Sequence, residues 1–277
     1  MNSLVQWMRN RNRVLIMGIV NVTPDSFYNG GRLTTAETAV DTAVHMVSDG
    51  ADIIDVGGES TRPGSSPIST EEEIDRVLPV IQGIRRRSDV VLSIDTMKSH
   101  VAQEALSAGA QIVNDVSALR GDEAMAKTIA DADAYVILMH MLGTPDSMQD
   151  NPTYEDVVED VTTFLLDRCR AAAAAGIPPD RVLVDPGIGF GKRLEHNLAL
   201  LRGLGRLSHL GRPVVVGLSR KSFLGRILDL PANERLEGTI AANAISVVNG
   251  ADVLRVHDVL EGRRTADVAF RLRHDAS

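Results

Sequence analysis

Eight short apolar, β-branched runs recur along the chain at spacings of roughly 20 to 45 residues, each followed by a longer stretch with helical periodicity. We read strands at 14–22, 52–57, 90–96, 111–116, 134–141, 181–186, 213–219 and 252–258. The amphipathic or alanine-rich stretches between them include 34–49, 70–87, 98–108, 154–175 and 238–249. Thr70 followed by Glu73 has capping-box spacing, and Gly50, Gly109 and Gly176 stand where helices should stop. Strands alternating with helices form a parallel sheet covered on its faces, and eight such units close most naturally into a barrel. The expected α/β fold is a single (β/α)8 TIM barrel over residues 1–277, with a short N-terminal extension whose Trp7 plugs the barrel's bottom. The alternative, a doubly wound open sheet, usually carries a glycine-rich dinucleotide turn after its first strand, and this sequence has none.

Composition narrows the function classes. A chain of 277 residues, 44% hydrophobic and 24% charged, is long enough for a large core and ordinary for a globular enzyme. No run approaches the roughly 18 apolar residues of a membrane span, and residues 1–13 lack the unbroken apolar run of a signal peptide. The net charge of −8 argues against a general nucleic-acid binder, and the basic run Arg85, Arg86, Arg87 falls at a helix end, where the helix dipole favours it. With Cys169 as the one cysteine, inside an apparent helix, neither an internal disulfide nor a cysteine metal cluster can form. The expected address is cytoplasmic, with neither nucleic acid nor membrane as partner.

In a barrel the C-terminal ends of the strands converge on one mouth. Here those ends carry Asn21; Asp55 with Glu59, Thr61 and Arg62; Asp95; Asn114 and Asp115; His140; Asp185; Ser219, Arg220 and Lys221; and Arg255, His257 and Asp258. A purely structural barrel has no need to desolvate so many polar groups, each of which requires a partner. Without a serine or cysteine nucleophile in a recognised setting, the ring suits a site that positions and polarises. Arg62, Lys221, Arg255 and His257 supply cations for a phosphate-bearing ligand, while Asp95, Asp185 and Asn114 suit a flat heterocycle rich in N–H groups. The run GIGFGK at 187–192 fails as a phosphate loop, because its glycines are one residue too close and Arg193 replaces the required Ser or Thr. The histidines show no metal-ligand spacing.

Eight ordered motifs lie at these strand ends: NVTPDSF at 21–27, DVGGESTRPG at 55–64, SIDT at 93–96, NDVS at 114–117, MHM at 139–141, DPGIGFGK at 185–192, GLSRKSFLG at 217–225 and RVHDV at 255–259. Together they make the chain, from about residue 14 to 260, resemble the dihydropteroate synthase family. Tyr28, Asn29 and Met97 depart from the family's commoner residues.

The resemblance implies a transferase of folate biosynthesis that joins a dihydropterin diphosphate to 4-aminobenzoate with loss of pyrophosphate. It implies that Asp95, Asn114 and Asp185 hydrogen-bond the pterin ring, that Lys221 reaches its carbonyl side, and that Met139 and Arg255 line its faces. The diphosphate then meets Asn21, Arg62, Arg255 and His257, with Mg2+ near Asn21. Phe27, Thr61, Pro63, Phe190 and Ser222 border the 4-aminobenzoate, and the loops 23–32 and 58–66 resemble mobile lids. A homodimer is implied as well, and the apolar segment 236–248 suits its interface. Three rival readings are a corrinoid-linked pterin methyltransferase, which needs no diphosphate cations, a Schiff-base aldolase using Lys221, and a silent pterin-binding module.

Overall fold

The computed structural model describes Trp7 and residues 12–22, 36–60, 67–144 and 147–274. Its eight parallel strands are β1 (Leu15–Asn21), β2 (Ile53–Gly57), β3 (Val91–Asp95), β4 (Ile112–Asp115), β5 (Tyr135–Met139), β6 (Val182–Asp185), β7 (Val215–Gly217) and β8 (Val253–Val256). They pair in chain order, and β1 also pairs with β8. Between β6 and β7 the ring closes through a parallel bridge of Val184 with Val214 and the Val184 N–H to the Pro213 carbonyl at 3.0 Å. Each expected strand is present but shorter. The largest trimming is at β7, where a turn begins after Gly217, the Lys221 N–H donating to the Leu218 carbonyl at 3.1 Å.

The period of two along each strand builds two cores from one sheet. Ile16, Ile54, Leu92, Val113, Val136, Val184, Val216 and Leu254 point outward and pack with the buried faces of the surrounding helices. Their neighbours Leu15, Met17, Ile53, Val91, Ile112, Ile137, Leu183, Val215 and Val253 fill the barrel in a separate cluster. Trp7 belongs to that inner cluster, only 5% exposed, its indole N–H donating to the Arg13 carbonyl at 2.8 Å. It plugs the bottom as expected.

Helices stop where glycine can take a positive φ, at Gly50 (102°), Gly109 (110°) and Gly176 (91°). The start of the helix Thr70–Arg85 corrects the sequence reading. Its cap is Ser69, extended at φ −68° and ψ 160°, whose side chain accepts from the Glu72 N–H at 3.1 Å. Glu73 is therefore free to turn inward, where it is buried and accepts from Lys98 at 2.6 Å. The basic run does lie at this helix's end, although Arg85 is not merely solvated, since it donates to the Gly109 carbonyl at 3.0 Å. Cys169 sits half-buried in the helix Val157–Ala174, and burial pushes its thiol pKa up. Helices Met125–Asp131, Leu194–Arg202 and Val259–His274, which the sequence reading did not single out, complete the alternation.

Replacing a buried tryptophan with alanine costs about 3–5 kcal/mol. Trp7→Ala should lower the urea-unfolding free energy by that order while leaving ligand affinity at the opposite mouth unchanged, which titration of the folded variant checks.

Candidate active site

The inward-facing positions change character halfway up the barrel. Two residues beyond the apolar inner layer, the same faces carry Asp55 after Ile53, Asn114 after Ile112, Met139 after Ile137, Asp185 after Leu183 and Arg255 after Val253. Asp95 joins them from β3, four residues beyond Val91, with buried Ser93 between. The apolar layer below seals the barrel, so this polar belt meets solvent from one side only.

Arg255 organises the belt. Its Nε donates to Asp55 Oδ2 at 2.6 Å and its Nη2 to Asp95 Oδ2 at 2.7 Å. The same Asp55 oxygen accepts from Asn114 Nδ2 at 3.1 Å, so one fully buried carboxylate fixes both neighbours. The second oxygen of Asp55 is buried without a hydrogen-bond partner, which leaves a desolvation penalty inside the network. Burial works against the charge of Arg255, but Asp55 and Asp95 outweigh it and raise its pKa. Burial raises Asp95 to about 7, with Arg255 pulling against the shift and Asp55 adding to it.

Across the mouth, Lys221 donates to the Ile188 carbonyl and its ammonium lies 4.8 Å from the centre of the Phe190 ring. Burial lowers Lys221 to about 8, while Asp185 opposes the shift. Asp185 is itself raised by burial, opposed by Lys221, and its Oδ1 accepts from the Gly187 N–H at 2.7 Å. Met139, 4% exposed, forms a small cluster with Val116, Met141 and Met148, and Met97 and Phe190 pack against it. His257 Nδ1 lies 3.0 Å from Ser219 Oγ, Asn21 is half-buried at the tip of β1, and Ser222 opens the helix Ser222–Leu228 in an exposed position. Phe27, Thr61, Arg62 and Pro63 lie outside the described residues.

Several strand-end groups serve the scaffold. Asp258 holds Arg220 in a two-pronged pair at 2.7 and 3.0 Å, so neither faces a ligand alone. Asp115 closes the turn after β4, accepting from the Ser117 and Leu119 N–H groups at 2.8 and 2.7 Å. The His140 ring packs edge-on against Phe164, 4.8 Å between centroids, and burial with Lys192 lowers its pKa to about 2. Glu59 accepts from Lys98 at 2.5 Å.

Two residues at the centre of the network were not assigned a role from the sequence. Asp55 carries a legible signal, because it alternates with Ile53 on an inward face. Lys192 carries none, since its setting is made by backbone carbonyls that the sequence does not display.

The family model for pterin binding enzymes matches residues 17–257, from within β1 to just past β8. A dihydropteroate synthase of Clostridium beijerinckii is 45% identical over 255 residues, covering 92% of this chain and 92% of its own. The crystal structure of a Yersinia pestis dihydropteroate synthase with a sulfonamide drug matches with a TM-score of 0.91 at 42% identity, covering 95% of this chain and 96% of that one. A Xanthomonas albilineans dihydropteroate synthase with 4-aminobenzoic acid gives a TM-score of 0.89 at 44% identity, covering 95% of this chain and 94% of that one.

Removing one partner from a buried ion pair costs about 3–5 kcal/mol, because the other charge is left uncompensated. Asp55→Ala should therefore lower the unfolding free energy by that order in urea titrations. A loss below about 1 kcal/mol, the range of exposed pairs, would mean that water already screens the belt.

Proposed function

The chain belongs to the dihydropteroate synthases, pterin-binding transferases of folate biosynthesis, and on that premise we propose how its residues divide the work. The reaction condenses 6-hydroxymethyl-7,8-dihydropterin diphosphate with 4-aminobenzoate to give 7,8-dihydropteroate and pyrophosphate. One observation carries the assignment of roles: carboxylates and cations share a single inward belt, each already held by protein contacts.

Asp95 uses one oxygen on Arg255 and Asp185 uses one on the Gly187 N–H, so each keeps a second oxygen for the N–H groups of a pterin. Asn114, anchored on Asp55, presents its amide oxygen to the same ring. Lys221 meets the carbonyl side, and Met139 and Arg255 line the faces. Phe190 beside Lys221 borders the 4-aminobenzoate with Ser222, Phe27, Thr61 and Pro63.

The methylene C–O bond breaks, a C–N bond forms to the aromatic amine, and the amine loses a proton. An aromatic amine is nucleophilic near neutrality, so the step needs charge placement more than a strong base. The Asp95 carboxylate favours positive charge on the departing methylene, and Arg62, Arg255, His257 and Asn21 receive the diphosphate. Bond breaking therefore runs ahead of amine attack.

Asn21 is also the residue that would hold Mg2+. Its half-buried amide oxygen is a hard donor, and its side chain makes no hydrogen bond with the described residues. With one such donor from the protein, the ion would take its other oxygens from the substrate's phosphates and water. When bound, Mg2+ neutralises charge developing on the leaving group.

A homodimer fits the exposed apolar groups on two neighbouring helices, Ile245 (56% exposed) and Val248 (44%) on one, and Val268 (62%) and Leu272 (67%) on the other. The double substitution Ile245→Glu with Leu272→Glu should give monomers in sedimentation velocity runs. A cytoplasmic address accords with soluble small-molecule substrates, and no helix among the described residues is long and apolar enough to cross a membrane.

The deciding assay follows pyrophosphate release from the dihydropterin diphosphate with and without 4-aminobenzoate. Release with a pteroate product is expected when the amine is present, and release that yields no pteroate in its presence would sink the condensation. The pH dependence has a defined sign. The value of kcat/KM for the pterin substrate should rise as pH passes about 7, where Asp95 ionises, and fall beyond about 8, where Lys221 loses its proton. A profile flat across both would show that neither group titrates in the free enzyme.

A further inference from the structure

Just beyond β6 the chain makes a tight turn over residues 187–191, with Gly187, Gly189 and Gly191 at φ of 66°, 87° and 66°. A Cβ at Gly187 would collide with the His140 carbonyl, and one at Gly191 would lie 2.6 Å from Leu142 Cβ, so the turn is pressed against the end of β5. Each of its five carbonyls accepts from a side chain. Gln149 Nε2 donates to Gly189 O at 2.8 Å, the Tyr154 hydroxyl to Gly191 O at 2.7 Å, and Lys221 to Ile188 O. The remaining two, Gly187 O and Phe190 O, both accept from Lys192 Nζ at 2.9 Å.

Lys192 is thus an internal pillar of the turn. It is 3% exposed, and its Nζ also lies 2.8 Å from His140 Nδ1. Burial pushes its pKa down and Asp185 pulls it back. Two of its N–H bonds go to the Gly187 and Phe190 carbonyls, and its third close neighbour is the His140 ring nitrogen. No step of the reaction uses this group, yet a buried lysine is costly to keep without a reason.

We propose that Lys192 is a positioning residue for the transferase reaction: from inside the turn it holds the Ile188 carbonyl and the Phe190 ring against Lys221. Lys192 binds the carbonyls one residue before Ile188 and at Phe190 itself, so the two groups that touch Lys221 lie on backbone that Lys192 fixes. The inference rests on the assignment of Lys221 to the pterin.

The test is the pH dependence of affinity for 6-hydroxymethyl-7,8-dihydropterin without its diphosphate, followed by fluorescence titration. Wild-type affinity should fall above about pH 8, as Lys221 deprotonates. Lys192→Met keeps the volume but removes the donors. The turn then loosens, water reaches Lys221, and the alkaline limb should move up by about one pH unit or more, with affinity at neutral pH down about tenfold. If Lys192→Met does not fold, Tyr154→Phe carries the test, because losing one hydroxyl unfastens the carbonyl next to Lys192 and should move the limb the same way. A limb that stays at the wild-type pH in the folded variant, whatever its melting temperature, would make Lys192 a scaffold residue only and overturn the proposal. Lys221→Met separates the two readings. If it binds pterin like wild type, the pterin assignment falls and takes the inference with it. If it loses the limb while Lys192→Met keeps the wild-type one, the inference alone falls.

Discussion

The guanidinium of Arg255, held between Asp55 and Asp95, is the interaction on which the arrangement of the mouth depends. It joins β8 to β2 and β3 across the barrel axis, at 2.6 and 2.7 Å. A closed barrel of this kind satisfies its backbone within the sheet, so what fills the interior is decided by side chains alone. Ionic groups in such a place must be paired and hydrogen-bonded or they neutralise. Here carboxylates and cations balance by pairing: Asp55 and Asp95 against Arg255, and Asp185 against Lys221. The balance is also spatial, since Asp185 faces Lys221 and Lys192 while the other two carboxylates face Arg255.

That balance explains why the chain's overall charge says little about its ligand. A net charge of −8 does not repel an anionic substrate from a mouth whose local cations are fixed by buried carboxylates. It also explains the preorganisation. Each carboxylate assigned to the pterin has one oxygen already restrained, so little reorientation is needed when a ligand replaces water at the other. The cost is an internal stress, visible in the partnerless Asp55 oxygen and in Asp95 poised near neutrality. Sites of this kind exchange some stability for readiness.

How much of this could be read from the sequence depends on the range of the interactions involved. The barrel was legible because strand alternation and helix stops are local, as at Gly50, Gly109 and Gly176. The belt residues Asn114, Asp185 and Arg255 were legible because each follows an apolar inward residue in strand register, and Asp95 because it ends a strand on the same face as Val91. Pairings between distant turns were not. Nothing local marks that Asp258 claims Arg220, that the ring of His140 turns into the helical shell, or that Ser69 rather than Thr70 caps its helix. Lys192 is the extreme case, because its partners are carbonyls of a turn whose shape depends on three left-handed glycines packed on another strand.

The failed phosphate-loop motif gains a physical meaning from that turn. In a phosphate loop the glycines let backbone N–H groups converge on an anion. In residues 187–191 the same residue type lets carbonyls converge on lysine side chains, with Lys192 inside and Lys221 at the rim. Two of the turn's N–H groups are spent on Asp185 and Asn197, at 2.7 and 2.8 Å, which removes them from any anion. A loop wired this way presents carbonyls rather than free N–H groups at those positions. The turn after β6 fixes the surroundings of Lys221, while Asn21, Arg255 and His257 stand at the ends of β1 and β8.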